Sequence, residues 1–225
     1  MFDYIFHVHT WRCGHASNEP ERAYIERAIE LKSKSIIFTD HAPFPQNPFT
    51  GRMLFSELEE YISTLKELKN EYAGIIEVKI GLEIEYLESY KDYYQELKNN
   101  NGIEILMLGQ HHFEFAPRQY SFEEHFEPQD YTEWMLRTQT KGIESGFFDV
   151  VAHPERFLRV ESKKIMEMEK DLINAAIENN VLLEKNRTTY LHNQISKNFW
   201  ELVPEDAKTI CGCDAHRISE LMLGE

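Results

Sequence analysis

The chain has 225 residues, 42% hydrophobic and 12% aromatic, with 39 acidic and 24 basic side chains and a formal net charge of −15. That length can bury a large core as one unit, so a single domain over residues 1–225 is expected. The acidic balance disfavours nucleic-acid binding, and no apolar run approaches the ~20 residues that span a bilayer, so neither a nucleic acid nor a membrane is an expected partner.

The first strand-like run, "YIFHVHT" at 4–10, closes on His7 and His9, which alternation puts on one face while Phe6 and Val8 face the other. His15 follows shortly. A helical pattern at 20–33 leads to "SIIFTD" at 35–40, ending on Asp40 and followed by His41. Leu58, Ile62, Leu65 and Leu68 mark a helix over 55–72 by their three- and four-residue spacing. The strand "IEVKIGLEIEY" at 76–86 carries Glu83 and Glu85, a helix covers 88–100, and "EILMLGQHH" at 104–112 ends in His111 and His112. Helix 128–145, "DVVAHP" at 149–154 with His153, helix 162–179, "VLLEKN" at 181–186 with Glu184, and helix 195–203 come next. The last strand, "KTICGCDAH" at 208–216, brings Asp214 and His216.

Seven strands alternating with helices predict parallel pairing through right-handed crossovers. An open sheet and a closed barrel both satisfy that. No Gly-rich phosphate loop follows the first strand, which counts against the dinucleotide-binding open sheet and favours an α/β barrel. The loops at 42–54 and 113–131, rich in proline and aromatics respectively, read as lids or binding loops. Asp3 stands where a signal peptide carries positive charge, and Cys13, Cys211 and Cys213 suggest no disulfide framework, so a soluble cytoplasmic chain is expected.

A lone histidine at a strand end is ordinarily a solvated side chain. Here seven of the ten histidines (His7, His9, His41, His111, His112, His153, His216) sit at or just past strand ends, and none lies in a predicted helix. In an α/β barrel those ends share one face, so residues distant in sequence converge. Imidazole and carboxylate donors suit Zn, Fe or Mn, and the donors outnumber what one ion can use. Two or three divalent ions are therefore expected, with Glu83 as a bridging carboxylate. Cys13 reads as a small buried thiol.

Taken in order, "HVHT" with His15, "TDHA", "GLEIEY", "GQHHF", "VVAHPE" and "GCDAH" resemble the motifs of the polymerase and histidinol phosphatase family, the PHP phosphoesterases. The resemblance implies a distorted seven-stranded (β/α)7 TIM-like barrel with a trinuclear site at the carboxyl ends of the strands. Carried over by position, it implies one metal on His7, His9, Glu83 and Asp214, a second sharing Glu83 with His112 and His153, and a third on His15, His41 and His216. His112 is chosen over His111 because it aligns with the histidine of the family's "HF" pair; strand parity alone leaves both open. Asp40 then resembles an orienter of a ligand or a proton carrier, and Arg156, followed by Arg187, is the candidate phosphate donor. The implied reaction is hydrolysis of a small-molecule phosphate monoester, with L-histidinol phosphate the leading substrate and Glu85, Glu114 or Glu123 as partners for its cationic groups. The competing expectations are another phosphoester, an amidohydrolase-like hydrolase, for which Glu83 stands where a bridging lysine is wanted, and a non-catalytic metal-binding regulatory module. The oligomeric state is left open.

Overall fold

The computed structural model describes residues 3–192 and 197–224. In chain order the elements are β1 (Tyr4–Val8), α1 (Glu21–Glu30), β2 (Ser35–His41), α2 (Leu58–Glu71), β3 (Glu77–Ile84), α3 (Lys91–Asn99), β4 (Ile105–Leu108), β5 (Glu114–Ala116), β6 (Gln119–Tyr120), α4 (Pro128–Glu144), β7 (Val150–Val151), α5 (Lys163–Glu178), β8 (Leu182–Asn186), α6 (Arg187–Leu191), α7 (Lys197–Leu202) and β9 (Thr209–Gly212). All seven expected strands are present. Each expected helix is too, α7 covering the described part of 195–203, whose residues 195 and 196 lie outside the described chain. The hairpin of β5 and β6 and the short α6 have no hydrophobic period long enough to read from sequence.

The strands pair in parallel in the order β1-β2-β3-β4-β7-β8-β9. Closure comes from backbone bonds between the first and last strands: Cys213 N–H donates to Phe6 C=O at 2.9 Å, Ala215 N–H to His7 C=O at 3.0 Å, and His9 N–H to Ala215 C=O at 2.9 Å. The result is a seven-stranded α/β barrel. Alternation then sorts each strand into two faces. Inward residues Phe6, Ile37, Met107, Val150 and Ala152 fill the barrel floor, while outward Ile36, Phe38, Val78, Ile80, Leu82 and Leu183 pack under Tyr24, Leu65, Ile165, Leu172 and other helix residues. Phe38 is fully buried there, worth roughly 1.5–3 kcal/mol.

Both long loops are packed onto the barrel. Phe44 and Met53 of the first and Phe113 of the second are fully buried, and Phe113 heads a cluster with Tyr131 and Met135. Among the described residues no helix is long and apolar enough to cross a membrane.

One buried carboxyl makes the fold pH-sensitive. Glu169 in α5 is 3% exposed, and burial, reinforced by Glu161, pushes its carboxyl up to about 7 from 4.5. A raised folded-state value means that ionisation opposes folding: the penalty is absent below 4.5, grows as pH rises, and is complete above 7. Glu169→Gln is therefore expected to raise Tm by roughly 2–6 °C at pH 8, with most of that gain gone at pH 5. An equal gain at both pH values in thermal melts would trace it to packing instead.

Candidate metal centre

The inward residues at the carboxyl ends of the strands form the centre. Register between β2 and β3 sets His41 beside Glu83. On β1 a bulge between Phe6 and Val8 turns His7 inward, so that His7 and His9 both face the centre although Phe6 also points into the barrel. His7 (φ 69), His153 (φ 29) and Asp214 (φ 50) all sit in the left-handed region, which residues with a Cβ adopt when their surroundings enforce it. Three strained positions in one site mark where geometry has been favoured over backbone comfort.

Around Glu83 the donors crowd together. His7 Nε2 lies 3.0 Å from His9 Nε2, and both stand 3.3–3.5 Å from Glu83 Oε2 and Asp214 Oδ1. His41 Nδ1 is 3.1 Å from Glu83 Oε2, while His153 Nε2 and His111 Nε2 are 3.0 and 3.7 Å from Oε1. Further out, His15 Nε2 faces His216 Nε2 at 2.9 Å. Sets of mutually close donors are His7–His9–Asp214, His9–His41–Glu83, Glu83–His111–His153 and His15–His41–His216. Cys13 makes a further set with His9 and His216, though burial pushes its thiol up to about 11, as fits a packed thiol.

The donor chemistry fits cations. His7 Nδ1–H donates to Glu184 Oε1 at 2.6 Å, His15 Nδ1–H to Cys13 C=O at 3.0 Å and His216 Nδ1–H to Asp214 C=O at 3.1 Å. These acceptors have no proton to give, so Nδ1 of each ring carries a proton and Nε2 is the nitrogen turned into the centre, the one that can give its lone pair to a cation. His15 and His216 thus aim two lone pairs at each other, a repulsion that a shared cation removes. Glu83 Oε2 and His9 Nδ1 are buried without a hydrogen-bond partner, which is costly for groups of this polarity. Glycine at 109 makes room, because a Cβ there would overlap the Glu83 carboxylate.

The electrostatics agree. Burial opposes ionisation of Glu83, yet the facing histidines, His111 and His7 foremost, outweigh it and hold the carboxyl well below its usual range, while burial of His7 is outweighed by Glu184, Asp214 and Glu83, which raise that ring. At Asp214 burial is likewise outweighed, by His7, His9 and Arg156. For His41 and His153 burial dominates and lowers both rings, the latter to about 4, which keeps them neutral and able to donate a lone pair.

Three expected site residues stand elsewhere. His112 lies outside the cluster: its ring stacks on Phe49 (centroids 5.3 Å apart) and meets Phe122 edge-on, while His111 occupies the place beside Glu83 and His153. Continued alternation from inward Met107 through Gly109 selects His111. Asp40 points out of the barrel, opposite to His41, where Oδ1 accepts Thr10 N–H at 2.8 Å; among the described residues it bonds to no histidine. Burial pushes its carboxyl up to about 7. Arg187 is exposed and lines a separate cavity with Tyr190 and Trp200.

Arg156 does face the site. It donates through Nη2 to Asp214 Oδ2 (2.6 Å) and Asn186 Oδ1 (2.7 Å), and through Nε to Thr189 Oγ1 (2.7 Å). With Arg52, His15, His41, His111 and His112 it walls a cavity of about 320 Å³ over the cluster. Arg52 escaped the sequence reading, although it lies in the loop singled out as a lid. Glu184 was noted only as a strand-end carboxylate, and its position behind His7 also shows only in the fold. Of the carboxylates considered for a cationic substrate, Glu85 is held by Arg52 and His111, Glu114 by Ser89 and Arg118, and Glu123 by Tyr120.

Residues 6–188 match the PHP domain family model, and Asp214 and His216 lie outside that match. Over 93 residues the chain is 39% identical to the histidinol-phosphatase of Bacillus subtilis (strain 168), an alignment covering 38% of this chain and 34% of that protein, so the chain spans about a third of the length of that curated relative. A crystal structure from Listeria monocytogenes, assigned as a histidinol phosphatase, superposes with a TM-score of 0.81 at 18% identity over 96% of both chains. The histidinol phosphate phosphatase of Lactococcus lactis subsp. lactis Il1403, in complex with zinc, L-histidinol and phosphate, gives 0.76 at 18% identity over 96% of this chain and 87% of that one. At that identity the two structures establish a shared barrel. With the family model matched over most of its length, the chain belongs to the PHP domain family.

Proposed function

We propose that this chain is a metal-dependent phosphomonoesterase that hydrolyses L-histidinol phosphate to histidinol and phosphate. The observation that carries the reading is the cluster of bare imidazole lone pairs around Glu83 and Asp214, set beneath a cavity walled by two arginines. The Bacillus relative and the Lactococcus complex support the choice of substrate.

In this reading His7, His9, Glu83 and Asp214 would hold one ion, Glu83 with His111 and His153 a second, and His15, His41 and His216 a third. Two or three divalent ions bound there, zinc, iron or manganese, would supply the Lewis acidity for activating water and neutralising phosphoryl charge. Arg156 uses Nε and Nη2 on protein partners, which leaves Nη1 for a phosphate oxygen and fixes the plane of the fork. Glu184 locks the tautomer of His7. The net charge of −15 disfavours polyanions such as nucleic acid.

The test is hydrolysis of histidinol phosphate beside a panel of other phosphate monoesters, with zinc- or manganese-reconstituted protein and bound metal quantified in the same sample. Selective turnover with two or three ions per chain is expected. Full metal occupancy with indiscriminate turnover would overturn the substrate, and metal without turnover would point to a regulatory module.

A further inference from the structure

Arg52 belongs to no helix or strand, yet its side chain is 4% exposed and sits against a fully buried carboxylate. Nη1 and Nη2 donate to Glu85 Oε2 and Oε1 at 3.0 and 2.9 Å, a two-pronged pair, and Nη1 also reaches Ala42 C=O at 3.0 Å. The guanidinium lies over the rings of Phe49 (4.8 Å) and Phe44 (5.5 Å) of the same loop. Glu85 in turn accepts from His111 Nδ1–H at 3.2 Å, and the opposite nitrogen of that ring faces Glu83 and His153. One unbroken line of contacts therefore joins a surface loop to the centre.

We infer that Arg52 is a positioning residue: through Glu85 it fixes the tautomer and rotation of His111, and it makes a correctly presented centre conditional on the 42–54 loop being seated. The inference rests on the metal reading of the cluster given above. The physical case is one of constraint. His111 lies past the end of β4 and has no strand hydrogen bonding to hold it, so its ring direction depends on the partner behind it. A carboxylate alone could rotate about its own side-chain bonds. The two-pronged guanidinium fixes the carboxylate plane, which a lysine, as a point charge, cannot do. The loop supplies the guanidinium, its aromatic bed and the Thr50–Gly51 wall of the cavity, so seating the loop and aligning His111 are the same event.

The experiment is a double-mutant cycle read on zinc retention, with no substrate present. Zinc-loaded wild type, Arg52→Ala, His111→Ala and the double variant are mixed with a chromophoric chelator and the release of zinc is followed. Arg52→Ala is expected to release one class of zinc about 10–100-fold faster, with Arg52→Lys in between. The double variant is expected to release zinc no faster than His111→Ala, because Arg52 acts through that ring. Should Arg52→Ala fail to fold, Arg52→Lys with and without His111→Ala completes the same cycle. Multiplying effects in the double variant would overturn the inference. So would wild-type zinc release from Arg52→Ala with KM alone raised, which would assign Arg52 to the substrate. A wild type that retains no zinc would instead remove the metal reading beneath it.

Discussion

Glu83→Gln is expected to lose bound metal and activity together, with turnover down by about 10³-fold or more. Glu83 is 1% exposed, and its two oxygens face His7, His9 and His41 on one side and His111 and His153 on the other. The amide keeps the shape but removes the charge, and puts an N–H₂ group, with no lone pair to give a cation, where a carboxylate oxygen stands among the imidazoles. Metal content by elemental analysis and turnover on histidinol phosphate are read on one sample. Retention of both at wild-type levels would sink the assignment of the centre. Loss of activity with metal fully retained would confine Glu83 to the chemistry.

Gly212→Ala is expected to damage fold and centre at once. A Cβ at this inward position of β9 would overlap Glu184 Oε1 and lie 3.1 Å from His7 Cβ. Both side chains are fully buried, and Glu184 is engaged by His7 Nδ1–H, by the His153 N–H at 3.0 Å and by Asn186. Accommodating the methyl means swinging a buried carboxylate off its partners, which costs on the order of 3–5 kcal/mol. For a chain of this size Tm should fall by roughly 10 °C or more. Adding Glu184→Ala to Gly212→Ala should recover much of the stability, since the clash is gone, and little of the zinc affinity, since His7 is then unsupported. A Gly212→Ala protein with unchanged Tm and zinc content would show that the strand end yields without moving Glu184.

Much of this architecture is legible in the residues themselves. The apolar runs are short and separated by helical spacing, so the seven strands and their parallel pairing follow from local period and the handedness of crossovers. The types of the donors are legible for the same reason: His7, His9, His41, Glu83, His153, Asp214 and His216 each end a strand, and a barrel gathers strand ends on one face.

Which neighbour of a pair turns inward is a different matter. Asp40 and His41, or His111 and His112, differ by one position, and a single step along a strand reverses the face. Only register and closure settle that, as the bulge at His7 shows, because one extra residue there reorients the start of β1 relative to everything after it. The arginines are harder still. Arg52 meets Glu85 across 33 residues and Arg156 meets Asp214 across 58, while Arg187, beside the strand end in sequence, turns to another cavity. Local patterning determines which elements form and which chemistry their ends carry, since both depend on near neighbours along the chain. The choice of inward histidine, the carboxylates behind the rings and the cations around the cavity belong to the tertiary structure, because each is a contact between segments that meet only once the barrel has closed.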